Sequence, residues 1–204
     1  MIDSKPSFKQ GVGQNPLRKE DARHLSGKAR FVGDVPPESG LNLNAAILRS
    51  PVAHGFIRTL ETGKLPKDCS IFSAKDLPDI GSIRATPRVK GFKTSEFPVF
   101  ATNKVRYTGQ PIAICLAPSR GQAEDIAQQI NLEIEELPAI IDPIEATKRN
   151  DVLIHEHWGD NVFIKRQIEN GDIVEAKKNA VSTITNEFRL NRHAAIPLET
   201  RGAY

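Results

Sequence analysis

Residues 111–136, PIAICLAPSRGQAEDIAQQINLEIEE, decide the fold. The first seven, PIAICLA, are continuously apolar, as a strand covered on both faces requires. Pro118 and Ser119 stop the run, and the Ser119 hydroxyl suits a helix N-cap. Ala123, Ile126, Ala127 and Ile130 then recur at i, i+3, i+4 and i+7, which places them on one face of a helix over about 120–130. From Ile130 the period switches to two. Ile130, Leu132 and Ile134 alternate with Asn131, Glu133 and Glu135, the pattern of a half-buried strand. The result is a strand–helix–strand unit, closed by Pro138 and Pro143, with Ile114 and Ile126 expected inside it.

Upstream, the pattern predicts more strands. In LNLNAAIL at 41–48, Leu41, Leu43, Ala45 and Ile47 alternate with Asn42, Asn44 and Ala46, a strand with one buried face. Residues 56–60 and Ile71-Phe72 read as further strands, with Ser73 capping one turn through Leu77. Residues 29–32 are a candidate strand, and 16–25 a short helix stopped at Gly27. Residues 1–15 are polar and without period, hence loose. Residues 79–100 have no sustained period, two prolines and four basic residues. A structureless loop of that length is unusual; it is expected to be mobile or to rest on a surface outside this chain. Downstream, 152–155 read as a short strand. Gly171 and Asp172 open a helix to Ala180 with Ile173, Ala176 and Ala180 inward. Residues 181–190 read as a long strand.

Composition bounds the function. The chain has 204 residues, 39% hydrophobic and 26% charged, with a mean hydropathy of -0.37. That is enough apolar material for a core. No apolar run is long enough to span a membrane, and the N-terminal residues lack a secretory apolar core. Two cysteines exclude a disulfide scaffold; Cys115, inside the apolar run, suits a reducing, cytoplasmic setting. The net charge is +3, with +4 in residues 1–30 and −1 in the rest. With 12 aromatic residues and no interleaved stacking platform, this arm gives no case for a nucleic-acid partner.

Residue chemistry supplies no active site. Gly11-Val12-Gly13 is followed by Pro16 and preceded by no strand, so the dinucleotide fingerprint fails. No phosphate loop, CxxC or HExxH occurs. His155 and His157, at i and i+2, would share one side of a strand, but zinc takes at least three protein ligands and a third is not evident. Cys69 follows Asp68, which disfavours a thiolate. The carboxylate pairs Glu20-Asp21, Glu124-Asp125 and Glu135-Glu136 fit solvated faces. No catalytic, cofactor-binding or metal-binding residue is therefore assigned.

The order of segments carries a resemblance. RKEDAR at 18–23 is followed by Ser26-Gly27, RFVGD at 30–34, LRSPVAH at 48–54 and KDLP at 75–78. Then come KVRYTGQP at 104–111, Ala123-Glu124-Asp125, EELPA at 135–139, Gly171-Asp172 and PLETRG at 197–202. Together these resemble the N-terminal part of the molybdopterin-binding large subunit of the xanthine dehydrogenase, aldehyde oxidase and carbon monoxide dehydrogenase family. The resemblance implies an α+β fold. Residues 1–26 would be an arm with a short helix, 27–141 an α/β-hammerhead domain, and 142–204 the start of a molybdenum-cofactor domain.

The resemblance also implies that the family's cofactor loops and catalytic glutamate lie beyond the matched segment, so Glu199 is not that base. The chain would be a fragment or one part of a split subunit, inactive alone and without cofactor. The complete subunit would carry molybdopterin, with Fe–S and FAD on companion subunits or domains. Its partners would be the remaining molybdopterin domain, those companions and a possible second copy. Loop 79–100 and strand 181–190 would be docking surfaces. The competing expectation is a free-standing, non-catalytic assembly module with the same fold.

Overall fold

The computed structural model describes residues 12–13, 16–35, 43–84, 88–197 and 199. The chain divides into two compact units, residues 1–40 with 184–204, and residues 41–183. The larger unit holds every strand of the described residues. β1 (Asn44–Arg49), β2 (Gly55–Glu61) and β3 (Ser70–Ser73) come first, then β4 (Ile83–Arg84), β5 (Glu96–Phe97) and β6 (Lys104–Val105). β7 (Pro111–Ala117) and β8 (Asn131–Glu136) complete the set. Two three-stranded antiparallel sheets form, in the orders β1-β7-β3 and β6-β2-β8, and β4 pairs with β5.

Between β7 and β8 runs a helix at Arg120–Gln129. The Ser119 hydroxyl accepts from the Gln122 amide at 3.3 Å, capping its first turn. Ala123 and Ile126 are buried on its inner face. Ile130 ends the helix with extended dihedrals and is itself buried, so one side chain closes the helix and opens the strand. The helix lies over the β7 face that carries Cys115 and Ala117, with Ala46, Leu48 and Ile71 beside them. Burying a side chain such as Ile126 stabilises the fold by about 1.5–3 kcal/mol. A second core, Ala101, Val105 and Ile112, packs against Ile57, Leu132 and Ile134 of the other sheet. Leu48 and Leu60 touch both cores. β2 and β8 press together at Gly55, where a Cβ would sit 2.5 Å from Ile134 Cγ2 and 2.7 Å from the Glu135 carbonyl.

The strand–helix–strand unit stands as the sequence predicts, but its two strands belong to different sheets. Ile114 is half-buried, because it points away from the helix. The face assignment of β1 is reversed. Ala46 and Leu48 turn inward, while Leu43 and Ile47 are 49% and 42% exposed. Register explains it: Ala46 pairs with Cys115, which lies in the core under the helix, and Leu48 packs against the same core. Leu41 and Asn42 lie outside the described residues, as do most of residues 1–15.

Other expectations shrink or fail. The helix expected over 16–25 is one turn, α1 (Asp21–Leu25), with Gly27 at φ 67° beyond it. Residues 29–32 make no strand; a 3-10 turn at Val32–Asp34 stands there, its first amide donating to Glu199 Oε1 at 2.9 Å. Ser73 and Asp76 tie the turn after β3, the Ser73 amide and hydroxyl each donating to Asp76 Oδ2 at 2.8 Å.

Residues 92–94 of loop 79–100 rest on residues 158–164 of the same chain. Phe92 bridges Ile164, and its ring meets Phe163 edge-on at 4.5 Å. Lys93 Nζ donates to the Trp158 carbonyl at 3.1 Å and to Asp160 at 2.5 Å, and Trp158 Nε1 donates to the Thr94 carbonyl at 3.3 Å.

The last third is the barest. Residues 152–155 are not a strand, and a 3-10 turn follows at Glu156–Trp158. After a helix at Pro143–Ala146, a last helix at Ile173–Asn179 starts where Asp172 accepts from the Glu175 amide at 2.9 Å, but it buries no residue. Ile173, Ala176 and Ala180 are therefore exposed, because no element of the described residues lies over them to exclude water. Residues 181–190 join no ladder, and Phe188 stays 82% exposed. Alternation alone does not make a strand when no partner edge is present.

Candidate functional site

The densest polar cluster among the described residues lies where β6 meets residues 149–161. β6 pairs with β2 through Phe56↔Lys104 and Gly55↔Val105. This pairing holds the Lys104 side chain, only 4% exposed, inside the fold. Its ammonium donates to the Leu153 carbonyl at 2.9 Å and to the Glu156 carboxylate. Two positions on, Arg106 Nε donates to the Ile154 carbonyl at 2.9 Å, and its guanidinium approaches Glu156 at 3.9 Å. The Arg106 amide in turn donates to Oε1 of buried Gln110 at 2.7 Å.

Asn161 shapes the segment these two cations grip. Its Nδ2 donates to the Arg149 and Val152 carbonyls, each at 2.8 Å, and its Oδ1 accepts from the Ile154 amide at 3.0 Å. One side chain thus satisfies three backbone groups that a loop cannot pair by itself. His54 closes the other side. Its carbonyl accepts from the Leu137 amide at 2.9 Å, and its Nδ1 donates to the Pro138 carbonyl at 2.9 Å. A carbonyl only accepts, so Nδ1 carries the proton. Nε2 is then a lone pair, buried and without a partner among the described residues. A cleft of about 490 Å³ runs between His54, Phe56, Lys104, Leu153 and Glu156.

Burial and charge set the protonation states. Burial pushes the His54 imidazole down, against the Pro138 hydrogen bond, and the Lys104 charge pushes it further. His155 is driven down to about 4, by burial first and then by Arg106. Burial would raise the Glu156 carboxyl, but the Lys104 hydrogen bond and the two nearby cations outweigh it and hold it low. The cluster is therefore two neutral imidazoles, one carboxylate and two cations near neutral pH. It carries no raised carboxylic acid, and its one free lone pair, His54 Nε2, has no hydrogen-bond partner among the described residues.

The residues singled out in the sequence do not assemble elsewhere. His155 stacks on Trp158 at 4.2 Å, and its ring centroid lies 5.9 Å from that of His157 at a steep angle. Without a strand at 152–155, the two imidazoles lose the shared side that metal chelation needs. Among the described residues, no group of three or more His, Cys, Asp or Glu gathers to hold a metal ion. Cys115 is fully buried, with its thiol pushed up by burial, and Cys69 packs partly buried against the same core. Glu124 is paired with Arg120 and Glu135 with Arg58. Lys104, Arg106 and Asn161 carried no warning spacing, because their partners lie some 50 residues away or are backbone carbonyls.

Known proteins resemble this chain over most of its length. The family model described as "Aldehyde oxidase and xanthine dehydrogenase, a/b hammerhead domain" matches residues 26–138. The nicotine 6-hydroxylase large subunit of Paenarthrobacter nicotinovorans is 32% identical over 203 residues, 98% of this chain and 24% of that protein. The carbon monoxide dehydrogenase large chain of Hydrogenophaga pseudoflava is 31% identical over 149 residues, 72% of this chain and 18% of that one. Among solved structures, quinoline 2-oxidoreductase from Pseudomonas putida 86 superposes with a TM-score of 0.61 at 35% identity, over 71% of this chain and 19% of that one. The chain spans about a quarter or less of the length of these relatives. One further relative, from Escherichia coli O157:H7, is named a xanthine dehydrogenase molybdenum-binding subunit. The cleft does not fit a pterin cofactor with its phosphate. Lys104 is spent on Glu156 and Leu153, and Asp151 adds a second carboxylate to the lining.

Proposed function

This chain belongs to the aldehyde oxidase and xanthine dehydrogenase family, and we propose that it is the N-terminal structural segment of a molybdenum hydroxylase large subunit, not catalytic by itself. One observation carries the reading. The best-built polar cluster spends its cations on a carboxylate and on backbone carbonyls of its own chain. Such a cluster positions a segment, with Lys104 and Arg106 committed to groups of their own chain.

In this reading, residues 1–26 are an arm, 27–141 the hammerhead domain and 142–204 the opening of the cofactor domain. No residue is assigned a catalytic, cofactor or metal-ligating role. The molybdenum cofactor would belong to the rest of the subunit and would supply its redox chemistry. Fe–S and flavin groups would sit on companion subunits or domains. Relatives named as subunits of a complex support the expectation of companions. The exposed apolar residues of 181–190 support a further contact, with the remaining domain or with a second copy. No helix of the described residues is long and apolar enough to cross a membrane. The two free thiols suit a cytoplasmic setting.

Elemental analysis with an activity assay tests the reading. The purified chain is expected to hold far less than one molybdenum per chain and to oxidise no aldehyde, purine or carbon monoxide. A molybdenum content near one per chain, or turnover of any of these, would overturn it.

A further inference from the structure

We propose that the turn at residues 89–92 and the segment facing it form a docking site for an acidic protein surface. This deepens the scaffold reading by giving one contact surface a chemistry. The turn is closed by the Phe92 amide donating to the Val89 carbonyl at 3.3 Å, with Gly91 at φ 83°. A Cβ on Gly91 would lie 3.0 Å from the Lys165 carbonyl, so glycine lets the two backbones meet. Phe92 bridges Ile164 antiparallel, and the Lys93 amide donates to the Phe163 carbonyl at 3.0 Å.

This geometry gathers four exposed cations. Arg88 and Lys90 stand on the turn, and Lys165 and Arg166 on the facing segment. None of the four forms an ion pair among the described residues. Their neighbours differ: Arg84 is paired with Glu96 and Lys93 with Asp160. Among the described residues, the four patch cations thus lack the counter-ions that Arg84 and Lys93 have. Like charges on adjoining segments repel, and an acidic surface set against them removes that cost. Between the cations, Val89 and Ile164 are 37% and 40% exposed, an apolar centre with a charged rim. Nucleic acid would ask for free aromatic faces. Here a single pair, Phe92 and Phe163, meets edge-on with Phe163 41% exposed, which is no platform for stacking successive bases.

The test is binding of fluorescein-labelled poly-L-glutamate to the full chain, followed by anisotropy at low salt. Lys90→Glu with Arg166→Glu is expected to weaken binding at least about tenfold, since reversal turns attraction into repulsion. The control, Lys67→Glu with Lys178→Glu, changes net charge equally at exposed sites away from the patch, and is expected to change binding less than about twofold. Equal loss in both variants, or no binding by the parent chain, overturns the proposal. So does tighter binding of labelled poly-uridylate with the same dependence on the patch. If the first variant shifts the unfolding midpoint, Arg88→Gln with Lys165→Gln must show the same selective loss, and its absence is equally fatal. Molybdenum content does not enter this test, so the scaffold reading can stand if the patch proposal falls.

Discussion

Residues 111–136 and residues 173–190 look alike on paper. Both contain a capped helix, and both contain an alternating apolar stretch. The first region buries Ile112, Ala113, Cys115, Ala117, Ala123, Ile126 and Ile130; the second buries nothing. The difference lies in what each helix and strand meets. β7 sits between two strands, with a helix across one face. The last helix and residues 181–190 meet no second layer among the described residues. Periodicity states which side of an element wants to be dry, and only a facing layer makes it so.

Hydrogen exchange probes this contrast where it is widest. Amides of 112–117 are expected to exchange at least about a thousandfold more slowly than those of 181–190, since ladder opening requires much of the global unfolding free energy. Self-association should slow 181–190 selectively. Equal protection in a strictly monomeric sample would erase the distinction between the regions. Mutational stability comes next. Ile126→Ala should cost about 2–5 kcal/mol by urea unfolding, whereas Phe188→Ala should stay within about 0.5 kcal/mol. A large Phe188 effect would reveal a core the comparison denies.

The smallest expected effect concerns pH. His155 falls to about 4 in the fold against 6.5 unfolded. The folded state therefore binds fewer protons than the unfolded chain across that window. The associated stability is fully present above about 6.5 and is lost as pH falls towards 4. His54 acts in the same direction. The urea midpoint should drop between pH 7 and 5, and His155→Phe, which keeps the Trp158 stack, should flatten part of that drop. An unchanged pH slope in this variant would mean that His155 is not buried in the neutral form.

Legibility followed the range of the interactions. Ser119, Ala123, Ile126 and Ile130 announce their helix because cap and face lie within three turns. β1 was legible as a strand but not in its facing. LNLN favours one parity and AAIL both, and the pairing of Ala46 with Cys115, some 70 residues on, makes the choice. Loop 79–100 is readable as irregular, yet its resting place depends on Trp158, Asp160 and Phe163, which no local pattern connects to it. The Lys104 cluster was invisible for the same reason. Lysine before valine at a strand start is unremarkable until Leu153 and Glu156 come within reach. The family resemblance came from short ordered segments, and the sites it left unassigned are those whose partners are remote.

The grip of Lys104 on Glu156 spans 52 positions of the chain. During synthesis the lysine emerges first. At about 5–20 residues per second, roughly 3–10 seconds pass before its partner is made. Throughout that interval the nascent sheet must carry a cation destined for burial while it is still in water. The strands β2 and β6 can pair before residue 156 exists, but the Lys104–Glu156 clasp cannot, so it is a late, vectorial step laid over a ladder already complete.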